Sequence, residues 1–350
     1  MNSHRLRFVL AAVCLVALIG CACGQTRPFG VMTYNVENLF DTCHDAGFDD
    51  YEFLPMAERQ WDTRRYRTKL SRLARVIASA GGAQPLALVG LCEVENDSVV
   101  YDLCHRTRLA RLGYDFVVTH SRDVRGIDVA LLYQPLRFRP IAVKAVRVEP
   151  PGEYGRHTRD ILHVTGLLPT ADTLEVFVCH SPSRLGGLRV ADDYRRQVAE
   201  RVRSLADSAL SRRAAPYAVI MGDFNDAATD PSIALGLRPL PLPDAAAWPS
   251  ADVRAYYAMA GHLTASDGIA GTYKYRGEWN RLDQMFVSGA LLRPESSLHV
   301  TPEACQIFAP PFLRTKDARH GGVKPRRTYL GTQYAGGFSD HFPLLLHLAF

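Results

Sequence analysis

What this 350-residue sequence has little of narrows it first. Its net charge is slight: 41 Lys and Arg against 36 Asp and Glu give +5, and without residues 1–20, which carry Arg5 and Arg7 and no acid, the balance is +3. Such a balance supplies no strong electrostatic argument for nucleic acid, which usually calls for a basic stripe. No cysteine spacing matches a zinc site or a known disulfide framework. There is no repeat, no low-complexity tract and no linker long enough to divide the chain, which sets aside solenoids and strings of small domains. The composition, 47% apolar and 22% charged, is that of an ordinary globular protein able to bury a sizeable core. The length permits one large domain.

The start differs from the rest. In "MNSHRLRFVLAAVCLVALIGC" two arginines precede an apolar run from Phe8 to Ile19, then small residues and a cysteine. A run this short reads as the core of a signal peptide rather than a spanning helix. Leu18-Ile19-Gly20-Cys21 resembles the bacterial lipobox, in which the cysteine is acylated and becomes the first mature residue. The expected organisation is therefore a lipoprotein signal peptide over 1–20, a short tether over 21–28 and one domain over 29–350, with the protein held on the bacterial cell envelope through lipidated Cys21. Ordinary cleavage near Ala22 or Gly24, giving a periplasmic or secreted protein, competes with this reading, and an internal apolar helix stands third. Of the eight cysteines, Cys14 falls in the leader and Cys21 in the lipobox, while Cys92 and Cys179 sit in apolar runs as buried thiols. Cys23, Cys43, Cys104 and Cys305 are left to pair or stay free, and their spacing assigns no bridge.

Along the chain, apolar runs alternate with turn signals. Strands are expected at "FGVMTYNV", "LALVGLCEV", "YDFVVTH", "IDVALLYQ", "RFRPIAVKAVRV", "RDILHVTGLL", "TLEVFVCH", "YAVIMGDF", "LDQMFVS" and "HFPLLLHLAF". Helices are expected over 62–80, 97–112 and 189–213, with a short turn near Pro231, and residues 301–337 read as a long loop. Many strands with few helices point to two packed sheets with helices outside. In the first helix Tyr66, Leu70, Leu73 and Ile77 recur at helical spacing, and of the basic cluster Arg64, Arg65, Arg67, Lys69, Arg72 and Arg75 the arginines read as a solvated face. Arg184, Arg189, Arg195 and Arg196 form a second cluster, which either flanks a cleft or, for the last three, lies on the outer face of a helix.

Polar residues collect at the strand ends. In "MGDFND" Asp223 and Asn225 are two apart after the run "YAVI", so on an extended segment they project to one side, a shape suited to a water or a phosphate. "MTYNVENLFD" ends a strand with Asn35, "LCEVEND" with Glu93 and "VFVCHSPS" with His180; "RLDQMFVS" starts one with Asp283 and "FSDHFPLLL" the last with Asp340 and His341. Each alone has an ordinary explanation as a turn or a solvated strand end. Together, oxygen ligands and two histidines without a cysteine cluster suit Mg²⁺ or Mn²⁺ and hydrolysis at phosphorus.

The stretches "TYNVEN", "CEVEN", "TRDILHV", "CHSPS", "GDFND", "RLDQMFVS" and "SDHFP", in this order over residues 29–350, resemble the endonuclease/exonuclease/phosphatase family, which includes deoxyribonucleases, inositol phosphatases and sphingomyelinases. The resemblance implies an α/β fold, a four-layer α/β-sandwich of two packed, mainly antiparallel sheets flanked by helices, with its site at one rim. It implies Glu93 as the principal metal carboxylate, with Asn35 and Asp340 close to the ion directly or through water. It makes Asp223 the group that orients or deprotonates the attacking water and Asn225 a donor to a phosphate oxygen. His341, held by Asp283, and His180 from the other side would stabilise phosphoryl charge, and Arg159 matches a family arginine. "HSPSRLGG" after His180 departs from the usual run, and Tyr273, Tyr275 and Trp279 are left between the substrate groove and the core. The leading expectation is a metal-dependent nuclease or phosphodiesterase, a monomer acting on nucleic acid. A phosphatase or phospholipid phosphodiesterase is the alternative, and a surface-binding protein with a dead site is disfavoured by the complete residue set.

Overall fold

The computed structural model describes residues 27–152, 156–184, 188–260, 263 and 268–350. The leader, the lipobox and Cys23 lie outside the described residues. Among the described residues no helix is long and apolar enough to cross a membrane.

Among the described residues four α-helices and nineteen strands follow in chain order: β1 (Pro28–Leu39), α1 (Thr63–Gly81), β2 (Leu88–Val94), α2 (Asp97–His105), β3 (Asp115–Val118), β4 (Asp128–Tyr133), β5 (Arg139–Val146), β6 (Ile161–Leu167), β7 (Thr173–His180), α3 (Leu188–Leu210), β8 (Tyr217–Asp223), α4 (Pro231–Gly236), β9 (Leu240–Pro241), β10 (Tyr256–Ala258), β11 (Tyr273–Tyr275), β12 (Glu278–Asn280), β13 (Asp283–Ser288), β14 (His299–Ile307), β15 (Arg314–Lys316), β16 (Val323–Pro325), β17 (Tyr329–Leu330), β18 (Gln333–Tyr334) and β19 (Leu344–Ala349). Six strands form one sheet in the order β14-β19-β1-β2-β4-β3 and seven form the other, β5-β6-β7-β8-β13-β10-β9. Pairing within each is mostly antiparallel, with parallel β1–β2, β7–β8 and β9–β10 contacts. The expected two-sheet α/β-sandwich is what forms.

The central strands read as continuous apolar runs because both their faces are covered. On β7 and β8, Val176, Val178, Val219 and Met221 pack inward against the other sheet, while the alternate residues Phe177, Cys179, Ala218 and Ile220 meet Tyr194, Val198 and Val202 of α3. The sheets approach closely at Gly90 of β2, where a Cβ would come within 2.9 Å of Met221 Cε. On the opposite side α1 starts on Asp62, whose carboxylate accepts from Arg65 N, and buries Tyr66, Leu70, Leu73, Val76 and Ile77.

Three expectations change. Residues 301–337 are not one loop: they begin inside β14, which pairs with β19, and continue as two small hairpins. The helix expected over 97–112 stops at His105, and a separate 3-10 turn begins on Thr107, whose hydroxyl accepts from Leu109 N. The basic residues of α1 are only in part a solvated face: Arg64, Arg67 and Arg75 are exposed. Lys69 is buried, and the guanidiniums of Arg65, Arg72 and Arg75 lie over the rings of Tyr334, Phe338 and Phe312, so the helix is covered by the segment between β14 and β19. Cys43, Cys92, Cys104, Cys179 and Cys305 are all free thiols, and all but Cys43 are buried.

Candidate active site

Strand direction gathers the polar residues at one rim. β1 and β2 run parallel, with Asn35 at the end of their regular pairing and Glu93 one residue beyond it on β2; β7 and β8 run parallel, with His180 opposite Asp223. β13 and β19 run against them, so their starts lie at the same edge, with Asp283 opposite Asp223. The chain is bent here to aim side chains. Glu93 takes φ 67° at the irregularity between Cys92 and Val94, Asn225 takes φ 53°, and Glu37 and Asn38 take φ 54° and 53° where β1 loses register. Left-handed backbone at non-glycine residues is costly and clusters at working sites. Gly222, at φ 142°, lets β8 pass β7: a Cβ there would lie 1.8 Å from the carbonyl oxygen of Cys179.

Asn35, Glu93, His180, Asp223, Asn225, Asp340 and His341 all line one cavity of about 390 Å³. A larger cavity of about 800 Å³, walled by residues of α1 and α2, contains none of them. Asp223 is the hub. Its two carboxylate oxygens accept from Asn35 Nδ2 and Asn225 N, each at 2.9 Å, and His180 Nε2 and His341 Nε2 approach to 3.8 and 3.9 Å. Burial raises its carboxyl to about 6, Asp283 adds to the rise, and His341 opposes it. Glu93 Oε2 accepts from Asn38 N at 2.9 Å, and its Oε1 lies 3.9 Å from His180 Nε2.

The two histidines are set to opposite charge states. Burial pushes His180 well below the usual histidine range, and Arg159 and Arg125 push it further, so the ring is neutral. Burial would lower His341 too, but the Asp283 carboxylate, 2.7 Å from its Nδ1, outweighs this with help from Asp223 and Asp340, and the ring stays charged. Asp223, Asp283 and His341 bring ligand-capable atoms within 4.8 Å of one another. A charged imidazole has no lone pair to give, so this trio suits proton and charge management rather than a metal.

A family model described as "Endonuclease/Exonuclease/phosphatase family" matches residues 30–350. The chain belongs to the endonuclease/exonuclease/phosphatase family. That family's chemistry is hydrolysis of phosphate esters, and it is generally dependent on divalent metal. The fold is similar to that of a family protein from Bacteroides thetaiotaomicron, with 16% identity, 93% of this chain and 96% of that chain covered, and a TM-score of 0.56. It is similar also to a mannosyl-6-phosphatase from the same species, with 16% identity, 92% and 100% covered, and a TM-score of 0.55. A truncated TDP2 from Caenorhabditis elegans matches with 14% identity, 92% and 97% covered, and a TM-score of 0.54. A search of curated protein sequences finds no match.

Two residues singled out with the family motifs stand outside the cavity wall. Asp283 lies behind His341. Arg159 is buried, donates to Asp123 Oδ2 at 3.1 Å and to the Ser181 carbonyl at 2.7 Å, and thus braces the loop after β7 instead of facing substrate. Tyr273 and Tyr275 line the cavity, whereas Trp279 stacks on Phe342. Of the second arginine group, Arg184 reaches the cavity but donates to Asn225 O, Asp226 and Asp230, and Arg195 is buried on Asp226. Neither is a free cation for a substrate, and Arg195 is not on an outer helix face.

The sequence reading missed Glu37, Lys69 and Arg327. Buried Glu37 accepts from Thr328 N at 2.6 Å and faces Arg327, which also donates to Asp340 at 2.6 Å. Lys69 Nζ donates to Glu37 O, Thr328 Oγ1 and Phe338 O at 3.1, 2.6 and 2.7 Å. Glu37 carries a signal, being two residues after Asn35 in "YNVEN", and Lys69 falls on the same helical stripe as Tyr66, Leu70 and Leu73. Arg327 carries none.

Proposed function

We propose that this chain is a Mg²⁺- or Mn²⁺-dependent phosphodiesterase acting on nucleic acid, exported and anchored to the envelope by lipidated Cys21. The observation that carries the chemistry is that one cavity brings together oxygen donors, a buried carboxyl at about 6 and a charged histidine. The donor set fits a hard cation: Glu93, Asp340 and Asn35 offer carboxylate and amide oxygens with no thiol among them. Glu93 is the ligand best placed, since its Oε1 has no hydrogen-bond donor among the described residues while Oε2 is fixed by Asn38 N. Asn35 Oδ1 is turned to Glu37 N and Asp340 Oδ2 to Arg327, so these two act from further out or with their remaining oxygen electrons. A bound divalent ion supplies positive charge to the phosphoryl oxygens.

The chain's own residues do the rest. Asp223, ionised above about 6, takes the proton of the attacking water. Asn225 spends one amide hydrogen on the Ser181 carbonyl at 3.1 Å and has the other for a phosphate oxygen. Charged His341 and neutral His180 donate from opposite sides as negative charge gathers. A phosphomonoesterase for a sugar-sized substrate is the second reading, favoured by the modest cavity volume and by the wall of Tyr273, Tyr275, Asn280 and Leu282, which suits one small group beside one phosphate. The test is a panel of DNA, RNA, sphingomyelin, phosphoinositide and sugar phosphates with and without Mg²⁺ or Mn²⁺. Turnover of a monoester or lipid with none of DNA or RNA refutes the nuclease reading, and no metal-dependent turnover of any ester refutes the chemistry.

A further inference from the structure

Beside the catalytic cavity, a second cavity of about 330 Å³ opens between the β11–β12 and β15–β16 hairpins. Tyr275 and Asp340 belong to the walls of both, so the two spaces adjoin. Its wall carries Lys274, Arg276, Arg319, His320, Lys324 and Arg327 against the carboxylates of Asp317 and Asp340 alone.

Internal pairing uses up only part of that positive charge. Lys274 is 3.2 Å from Asp317 and donates to the carbonyls of Gly321 and Val323 at 2.9 and 3.2 Å, which fixes one hairpin on the other. Arg327 is taken by Asp340 and Glu37. Lys324, at 3.8 Å from an Asp317 already held by Lys274 and approached by His320 Nδ1 at 3.5 Å, is loosely engaged. Arg276 has the ring of Tyr275, and the Arg319 side chain has no partner among the described residues. Surplus cations around a cavity on a braced frame make an anion site, and phosphate is the anion that this neighbourhood presents.

We infer that this second cavity binds another phosphate of the substrate, the neighbour of the scissile one along a nucleic-acid strand. The inference rests on reading the adjoining cavity as a phosphoester hydrolase. It also selects among substrates: a lone phosphomonoester has no group to place there, whereas a strand or a bisphosphate has.

The test is the double variant Arg319→Gln/Lys324→Gln in the full chain, compared with wild type on three probes. Binding of a fluorescein-labelled phosphorothioate tetrathymidylate is followed by anisotropy across a salt series. Fructose 1,6-bisphosphate competes in the same assay, and turnover of bis(p-nitrophenyl) phosphate, which carries a single phosphate, reports the catalytic cavity. The variant should bind the tetranucleotide roughly tenfold more weakly at low salt with a salt slope shallower by about 1 to 2. Its kcat and KM on bis(p-nitrophenyl) phosphate should equal those of wild type. A tenfold loss for the bisphosphate with none for the tetranucleotide keeps the second phosphate and makes its source a small bisphosphate. Unchanged affinity for both, or an equal loss on the single-phosphate ester, overturns the inference. If wild type hydrolyses no ester, the proposed function falls, and the anisotropy arm still decides the pocket.

Discussion

Asp283→Asn removes one charge with little change of shape, and it should act through His341. The two side chains meet at 2.7 Å, with Asp283 1% and His341 6% exposed. At an effective dielectric constant of about 20, unit charges about 4 Å apart attract by about 4 kcal/mol. Since burial already pulls the ring down and Asp283 leads the groups that hold it up, the loss drives His341 toward the uncharged form. Losing one preorganised donor to a developing oxyanion costs about 10²- to 10³-fold in kcat. The pH dependence carries the sign. In wild type the charged ring is lost only as pH rises through its raised value, so the variant's rate relative to wild type should rise as pH falls toward about 6, below which Asp223 loses its charge in both. Stability follows the same proton: the contribution is full below about 6.5 and is lost as pH rises through the folded value, so the variant's thermal deficit should be largest near pH 6. The assay is the pH–rate profile on bis(p-nitrophenyl) phosphate with melting by circular dichroism. A variant retaining more than about a third of wild-type kcat at pH 7.5, where a single donor is worth the loss above, would refute the reasoning. So would a loss equal at every pH. With His341→Gln already present, Asp283→Asn should add little, because the two act as one unit.

Glu93→Gln should abolish metal-dependent turnover while its melting temperature stays near that of wild type, because Glu93 holds only one backbone amide; wild-type turnover would remove it from the metal site. Lys69→Met tests the buried ammonium. Burial holds it at about 8, against an ordinary 10.5, so the folded state carries a penalty at pH 7 that is relieved as pH rises through that interval. The stability of wild type relative to Lys69→Met should therefore improve by up to about 3 kcal/mol between pH 7 and 10.5, and a flat difference would refute the burial argument. Cys21→Ser should release the protein from the membrane fraction or leave it unprocessed, and wild-type protein found wholly soluble in periplasm or medium would favour ordinary cleavage.

The sandwich was legible because its central strands are buried on both faces, which writes "VIMGD" and "VFVCH" as unbroken apolar runs. The rim was legible for a related reason: a polar residue that ends such a run, as Asn35, Glu93, His180 and Asp223 do, must project from a sheet edge. β14 escaped because "HVTPEACQI" is covered on one side only, and its Pro and Glu, exposed beside β19, read as loop. Arg159 was legible as a site residue but not as a brace, since nothing in "TRDILHV" says that its guanidinium turns to Asp123 and the Ser181 carbonyl.

The basic stripe of α1 misled for a physical reason. Helical spacing separates an apolar face from a charged one, but it does not say that the charged face meets water, because arginine stems and guanidiniums cover aromatic rings as well as they solvate. Here they meet Phe312, Tyr334 and Phe338 of the segment before β19. That segment carries Arg327 to Glu37 across 290 residues of chain and to Asp340 across 13. Lys69 sits between, one ammonium shared by Glu37, Thr328 and Phe338. The residues that set the charge around Asp340 therefore depend on how α1 is covered. A change on α1, far from the strand ends in sequence, should reach the site through Lys69 and Arg327 before it reaches it through either sheet.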